Sequence, residues 1–368
     1  MVIDRRQLLA GLLAGLCSGQ GARAEALKQR LFISCRMDAA GAASVACFDA
    51  AGAEVFATSL PARGHDVTLR PFSAEAAVFA RRPGNWFVVV STADGRVVSV
   101  VHAPEGRHLY GHGVFSPDGN LLHVTENDIA TGYGLIGIYD ATSAYRRIGE
   151  FSSGGIGPHD IALLPDGQTL VVANGGLRTH PGTGRETLNP GDMKPNLALI
   201  DLRHHDLLAT QELGASLRQL SIRHLAVRRD GLVAFGCQYE GSADDAPPLL
   251  GTLSASQGIA LLEIDEDVMF RLKNYVGSVA FDDGGNHLLA TSPRGGVGLV
   301  WDMAWGAVSR CVAVPDICGA APLAPEEFLV TSGNAGVRRL PTDPARPLSA
   351  PAAIRWIWDN HLAVLTPD

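Results

Sequence analysis

A short phrase recurs along the chain and constrains its fold more than any other feature. Each copy continues as an apolar run, and the clearest copies close on Asp-Gly. The first three copies begin 47 residues apart, and the later intervals are 65, 54, 40 and 43 residues. The seven copies begin at His65, His112, His159, His224, Ser278, Cys318 and His361. A period in the forties, with apolar strands closed by Asp-Gly turns, is typical of β-propellers, and seven copies predict seven blades.

The two ends of the chain suggest how the ring closes. Three apolar, strand-like stretches precede the first copy, whereas residues 361–365 stand alone after the last one. We predict that this C-terminal strand joins residues 31–60 in one blade, because such closure removes an exposed sheet edge. Residues 25–368 are therefore expected to form a single all-β domain.

The first 24 residues carry the pattern of a cleaved export signal. Arg5 and Arg6 precede a short run rich in Gly, Ala and Leu, and residues 22–24 (ARA) match an A-x-A cleavage site. Twin arginines followed by leucines favour the Tat pathway over the general secretory pathway. We expect a mature periplasmic protein that begins near Glu25.

Composition disfavours several kinds of partner. The formal net charge is −8 and charged residues make up only 18% of the chain, so nucleic acid and anionic membrane surfaces are unexpected partners. No internal apolar run is long enough for a membrane-spanning helix. We expect a monomer.

Two cysteines leave a choice open. Cys35 and Cys47 stand symmetrically about Gly41, the expected turn of a hairpin. They could form a disulfide across two strands in an oxidising compartment, or they could be two small buried side chains.

The repeat positions also predict a cluster of histidines. Inner strands line the central channel of a propeller, so the residues that start the seven copies form a ring at one channel mouth. Histidines occupy five contiguous positions of this ring: His65, His112, His159, His224 and His361. Imidazole is a common ligand of Zn, Cu and Fe, so the arc is a candidate metal site. The alternatives are a polar ring that bonds only water and backbone, and an acid–base or ligand-binding role without metal.

Long loops are predicted on the same face in three consecutive blades, at residues 126–134, 174–196 and 238–257. Loops of this length usually carry function. Each candidate residue here could also be an ordinary surface residue. The candidates are Glu126, with Asn127 and Asp128, as metal ligand or support, His180 as a lid or extra ligand, Tyr239 as a loop-start contact, and Arg223 and Arg294 for an anionic ligand. Asp66 and Asp160 follow ring histidines and are expected to point to the opposite strand face.

Several motifs resemble those of a bacterial domain-of-unknown-function family. They are residues 111–119 (GHGVFSPDG), 125–128 (TEND), 157–159 (GPH), 172–176 (VANGG), 179–181 (THP), 219–226 (QLSIRHLA), 238–241 (QYEG) and 291–295 (TSPRG). The resemblance covers nearly the whole mature chain. It implies an exported seven-bladed propeller, encoded beside imelysin-like periplasmic proteins and a haem-containing oxidoreductase in iron-uptake loci. It implies no established activity, and those neighbours are the expected partners.

Pattern and resemblance together favour a periplasmic metal-handling propeller. It would bind iron or copper, or a cofactor containing either metal, at the histidine arc; the hub is also similar to that of nitrous oxide reductase, which binds copper through histidines. Two alternatives remain open: a propeller hydrolase or lactonase with a histidine as general base, and a scaffold that docks partner proteins. The sequence contains no Walker A motif, no Rossmann glycine motif and no C-x-x-C pair.

Overall fold

The computed structural model describes residues 30–82, 84–184 and 186–365. The strands of these residues form seven antiparallel sheets. The innermost strand of each sheet contacts the innermost strands of its two neighbours, and these contacts run round a closed circle. The prediction of a seven-bladed β-propeller is confirmed. The predicted export signal lies outside the described residues.

The strands follow one another blade by blade, with short helical segments in the connections. Blade 1 contains β1 (Leu31–Met37), β2 (Ala43–Asp49) and β3 (Glu54–Ser59); blade 2 contains β4 (Gly64–Leu69), β5 (Glu75–Ala80), β6 (Trp86–Ser91) and β7 (Val97–His102); blade 3 contains β8 (Arg107–Phe115), β9 (Leu121–Asp128), β10 (Gly134–Asp140) and β11 (Arg146–Ser152). Blade 4 contains β12 (Pro158–Leu163), β13 (Thr169–Asn174), β14 (Asn196–Asp201) and β15 (Leu207–Glu212); blade 5 contains β16 (Leu220–Val227), β17 (Val233–Tyr239), β18 (Leu250–Ser254) and β19 (Gly258–Leu261); blade 6 contains β20 (Ser278–Phe281), β21 (His287–Ser292), β22 (Val297–Asp302) and β23 (Ala307–Ala313). Blade 7 contains β24 (Ile317–Ala324), β25 (Glu327–Ser332) and β26 (Gly336–Pro341), after which β27 (Ile357–Trp358) and β28 (Ala363–Leu365) return to blade 1; helix α1 (Glu266–Phe270) and two 3-10 turns, Pro181–Thr183 and Ala215–Leu217, complete the chain.

Burial along the strands follows from their place in the blade. Middle strands pack against neighbouring blades on both faces, so β6 is buried at every position. The outermost strand β7 has one face in solvent and alternates between exposed and half-buried residues. The hydrophobic core therefore lies between blades rather than in the channel.

The tight turns explain the repeated Pro-Asp-Gly. Gly119 and Gly167 adopt φ values of 69° and 67°, which a residue without Cβ accepts at little cost. Asp118 and Asp166 accept hydrogen bonds from the backbone N–H groups of Asn120 and Gln168, at 3.1 and 2.8 Å. These turns place the start of each second strand directly behind an inner strand.

Blade 1 closes the ring as predicted, although its inner strand is interrupted. Both β27 and β28 pair antiparallel with β1, at Arg36↔Trp358 and Ile33↔Ala363. The four residues between them, 359–362, leave the ladder. This break brings Asp359 and His361 to the channel mouth.

Cys35 and Cys47 are free, buried thiols. Cys35 pairs with Val45, and Cys47 pairs with Ile33, so the two cysteines are two positions out of register. The hairpin is centred on residue 40 rather than on Gly41, which is why the symmetry in the sequence misleads. Of the two alternatives, the structure has the pair of small buried side chains.

Candidate functional site

Breaks in the β-ladder lie at or next to four of the ring histidines. The pairing register shifts near the start of four inner strands, between Gly64 and Val67 in β4, Leu109 and Gly113 in β8, Pro158 and Asp160 in β12, and Ile222 and His224 in β16. A β-bulge leaves one residue unpaired and redirects its side chain. In β8, Gly111 has φ 99°, and a Cβ there would meet the His65 ring at 3.1 Å. A glycine is therefore required where two inner strands approach each other.

Five imidazoles meet at this point, and we call them the histidine cluster: His65, His112, His159, His224 and His361. Neighbouring ring centroids lie 4.5–5.1 Å apart. Four of the five residues are buried, and His361 is largely so. The structure thus brings together all five histidines expected at the channel mouth.

Carboxylates support the cluster from behind. His65 Nδ1 lies 2.9 Å from Asp359 Oδ1, and His112 Nδ1 lies 3.2 Å from Asp66 Oδ2 and 3.4 Å from Asp160 Oδ1. The expectation that Asp66 and Asp160 point away was wrong, because the bulges in β4 and β12 interrupt the two-residue alternation on which it rested.

Asp359 was missed at the sequence level. The sequence feature that could have identified it is its position two residues before the ring histidine His361, in a stretch that contains no turn motif. It also bonds Arg63 Nε and Arg81 Nη1, at 2.7 and 2.8 Å. One buried carboxylate therefore joins the cluster to two cations.

Burial sets the charge of most of the cluster. Burial lowers the pKa of His65 to about 4 and holds the pKa values of His159, His224 and His361 well below the ordinary range, so these imidazoles are neutral near pH 7. For His112 burial acts in the same direction, but Asp160 and Asp66 outweigh it and raise the pKa. Neutral imidazole is the form that ligates metals.

Several ring nitrogens of the cluster are buried without a hydrogen-bond partner among the described residues. They are both nitrogens of His112 and of His224, Nδ1 of His159 and Nε2 of His361. For His112, the contact with Asp66 is close enough for an ion pair but is not aligned as a hydrogen bond. Each unpartnered buried polar group costs about 1–3 kcal/mol.

Two overlapping triads have metal-site spacing. Ligand atoms of His65, His112 and His159 lie within 4.8 Å of one another, as do those of His112, His224 and His361. Around a tetrahedral ion with 2.0–2.1 Å bonds, nitrogens are separated by roughly 3.4 Å. Small side-chain rotations would bring ligand atoms that lie within 4.8 Å of one another to that shorter separation. His112 belongs to both triads and is the central ligand candidate.

A cavity of about 470 Å³ opens above the cluster. His65, His159 and His224 form part of its wall, so the cluster and the cavity are continuous. We call it the arginine cavity, because five arginines line it: Arg63, Arg81, Arg82, Arg223 and Arg294. Only Arg223 and Arg294 were expected here.

The remaining expected residues lie elsewhere. His180 is exposed, and its Nδ1 accepts a hydrogen bond from Gly182 N at 3.0 Å. The Tyr239 hydroxyl donates to Asp245 Oδ2 at 2.9 Å. Neither residue lines the cavity, although their neighbours Thr179 and Glu240 do. Cys318, at a ring position without histidine, packs in a hydrophobic cluster with Trp358.

Glu126 is held by contacts with structural residues and not by the histidine cluster. It lies on β9, which continues to Asp128, so the predicted loop at 126–134 is only a short turn. Its carboxylate is fully buried, accepts from the Tyr139 hydroxyl at 2.7 Å and pairs with Arg147 at 2.8 Å. These partners occupy both oxygens away from the cluster.

We therefore predict that Glu126→Ala destabilises the fold and spares the cluster. The substitution leaves the buried Tyr139 hydroxyl without its acceptor and removes a charged partner of Arg147, at a cost of about 2–3 kcal/mol. Urea unfolding of the metal-free protein measures this loss. A stable variant with altered metal content would instead assign Glu126 to the site.

Within the described ranges, no helix is long and apolar enough to cross a membrane.

Comparison with known proteins agrees with the architecture. A family model described as "Protein of unknown function (DUF1513)" matches residues 58–365. No curated protein matches the sequence. Among solved structures, Kuenenia stuttgartiensis hydrazine synthase is similar with a TM-score of 0.62 and 14% identity, over 81% of this chain and 89% of that one. At that identity the likeness concerns the fold alone.

Proposed function

Because this chain belongs to the DUF1513 family, whose description assigns no function, we propose from the site itself that the protein binds a transition-metal ion, iron or copper, at the histidine cluster and handles that metal in the periplasm. The observation that carries the proposal is a set of converging, buried imidazole nitrogens that have no hydrogen-bond partner among the described residues. A metal ion would give these nitrogens the partners that they lack.

The surroundings of the cluster support a metal role over a merely polar ring. A ligating histidine commonly donates its second ring N–H to a carboxylate, which fixes its tautomer. Asp359 stands in that position behind His65, and Asp66 and Asp160 stand near His112. An all-imidazole set suits Cu, Fe or Zn better than Mg or Ca.

Location and partners rest on the sequence. The export pattern of residues 1–24 supports a periplasmic location, and the family resemblance supports imelysin-like or haem-containing periplasmic proteins as partners. We propose that it acts there as a monomer. N-terminal sequencing of the exported form, expected to begin at or near Glu25, and size-exclusion chromatography with light scattering test these two points.

Metal content is the direct test. We expect protein exported natively and purified without chelator to carry about one equivalent of iron or copper by elemental analysis. Added back to metal-free protein at 100–1,000 times its Kd, the same ion stabilises the fold by about 3–4 kcal/mol, because it binds only the folded state. Protein without bound metal, whose thermal melt none of Fe²⁺, Cu²⁺ and Zn²⁺ shifts, contradicts the proposal.

A hydrolase is the second candidate, since His65 lines the cavity and its Nδ1 lies 2.9 Å from Asp359 Oδ1. The pair has the geometry of a general base with its orienting carboxylate. However, burial lowers the pKa of His65 to about 4, which makes it a weak base at neutral pH. Metal binding is therefore the better-supported function.

A further inference from the structure

The arginine cavity carries more positive than negative charge. Among the described residues, five arginines line it, against the two carboxylates Glu240 and Asp316. Asp359 lies behind the cavity wall. It forms ion pairs with Arg63 and Arg81 and also contacts His65. The other three arginines that face the cavity are Arg82, Arg223 and Arg294. Carboxylates neutralise their charges less completely.

The contacts of these three arginines leave donors available. Arg82 Nη1 donates to Thr179 Oγ1 at 3.2 Å, a neutral acceptor. Arg223 is 95% buried, its contact with Glu240 is long at 3.5 Å, and its Nε has no partner among the described residues. Arg294 stacks on the Tyr275 ring, 4.4 Å from its centroid, which orients the guanidinium without using its N–H groups.

The charges of Arg82 and Arg223 repel each other in this cavity. Burial, followed by the nearby charge of Arg223, lowers the pKa of Arg82 to about 10. Cations are held together away from water only at a cost, and an anion between them would relieve it. Guanidinium groups present paired N–H donors that match carboxylate and phosphate oxygens.

We propose that the arginine cavity binds a small organic anion with two or more oxyanion groups, a polycarboxylate or an organic phosphate. A volume of about 470 Å³ lies in the range of small-molecule sites and far exceeds the needs of one inorganic phosphate. Because three cluster histidines, His65, His159 and His224, form part of the cavity wall, an oxyanion group bound here lies beside the ion at the histidine cluster. That last step rests on the proposed metal function, whereas anion binding itself does not.

Isothermal titration of the metal-free wild-type protein with citrate, glucose 1,6-bisphosphate and inorganic phosphate tests the proposal. At low ionic strength we expect one site for citrate or for the bisphosphate, and the tighter of the two identifies the class. Inorganic phosphate should bind at least about 10-fold more weakly, because one oxyanion group engages fewer arginines. Added salt should weaken binding, as for any site that depends on charge.

Substitutions localise the site. Arg82→Gln should weaken binding by about 10- to 100-fold, the usual effect of losing a charged hydrogen bond. It should leave the melting temperature of the metal-free protein unchanged or higher, because it removes a repelled cation. Arg146→Gln is the matched control, since Arg146 is exposed on the outer strand β11 of blade 3, and it should bind as wild type.

The outcomes separate this inference from the metal proposal. His112→Gln should retain anion binding, since His112 is not among the described residues that line the cavity. If the protein binds citrate but no metal, the result contradicts the proposed metal function and leaves the anion site standing. Absence of binding to both organic anions, or equal losses in Arg82→Gln and Arg146→Gln, overturns the inference.

Discussion

His112→Gln is expected to lower the metal affinity of the protein by more than about 100-fold. His112 is the one residue common to both triads, so its loss leaves only two histidines of either set. Losing a residue that merely supports a ligand costs about 10- to 100-fold in affinity, and losing a central ligand costs more. Glutamine keeps a donor near Asp66 and Asp160, which limits the effect on the metal-free fold.

His123→Gln provides the matched control. His123 is equally buried, and burial lowers its pKa to about 4, but it lies on β9 beside Phe151 rather than in the cluster. Elemental analysis and competition with a chromogenic chelator compare the two variants at equal amounts of folded protein. Metal retained in His112→Gln excludes the cluster as the site. Collapse of that variant without metal, with His123→Gln intact, shows that the ring is structural.

The fold could be predicted because its signals are local and repeated. Apolar runs recur at each blade, Asp-Gly closes them in blades 3 to 6, and the lone strand at 361–365 has one arrangement that leaves no open edge. The same regularity predicted which histidines meet. Position in a repeat determines position in a ring, whatever the details of each blade.

The surroundings of the cluster could not be predicted in the same way. Side-chain direction was inferred from regular alternation, and the bulges at Asp66 and Asp160 break it. Glu126 looked like a loop residue because strand ends are poorly marked in the sequence, yet β9 continues past it. Arg63 precedes β4, and Arg81 and Arg82 follow its hairpin partner β5, so their shared face is readable only once that pairing is known.

Acidification from pH 7 to pH 5 is expected to destabilise the metal-free protein by about 4–6 kcal/mol. Four cluster histidines, His65, His159, His224 and His361, have pKa values below the unfolded value of about 6.5. Below pH 6.5 the unfolded chain therefore binds protons that the folded protein excludes, and stability falls as the pH falls. Each such histidine contributes up to about 1.4 kcal/mol per pH unit.

Two groups, His112 of the cluster and Asp160 behind it, oppose this trend and reduce its size. The pKa of His112 is raised, and burial raises that of Asp160 to about 6, so both take up protons more readily in the folded state. Together they offset only part of the effect of four histidines. Urea unfolding at half-unit pH steps measures the slope, and a His159→Gln/His224→Gln variant should lose about half of the acid destabilisation that the four histidines cause. A slope unchanged in that variant would mean that other groups, such as His123, govern the acid response.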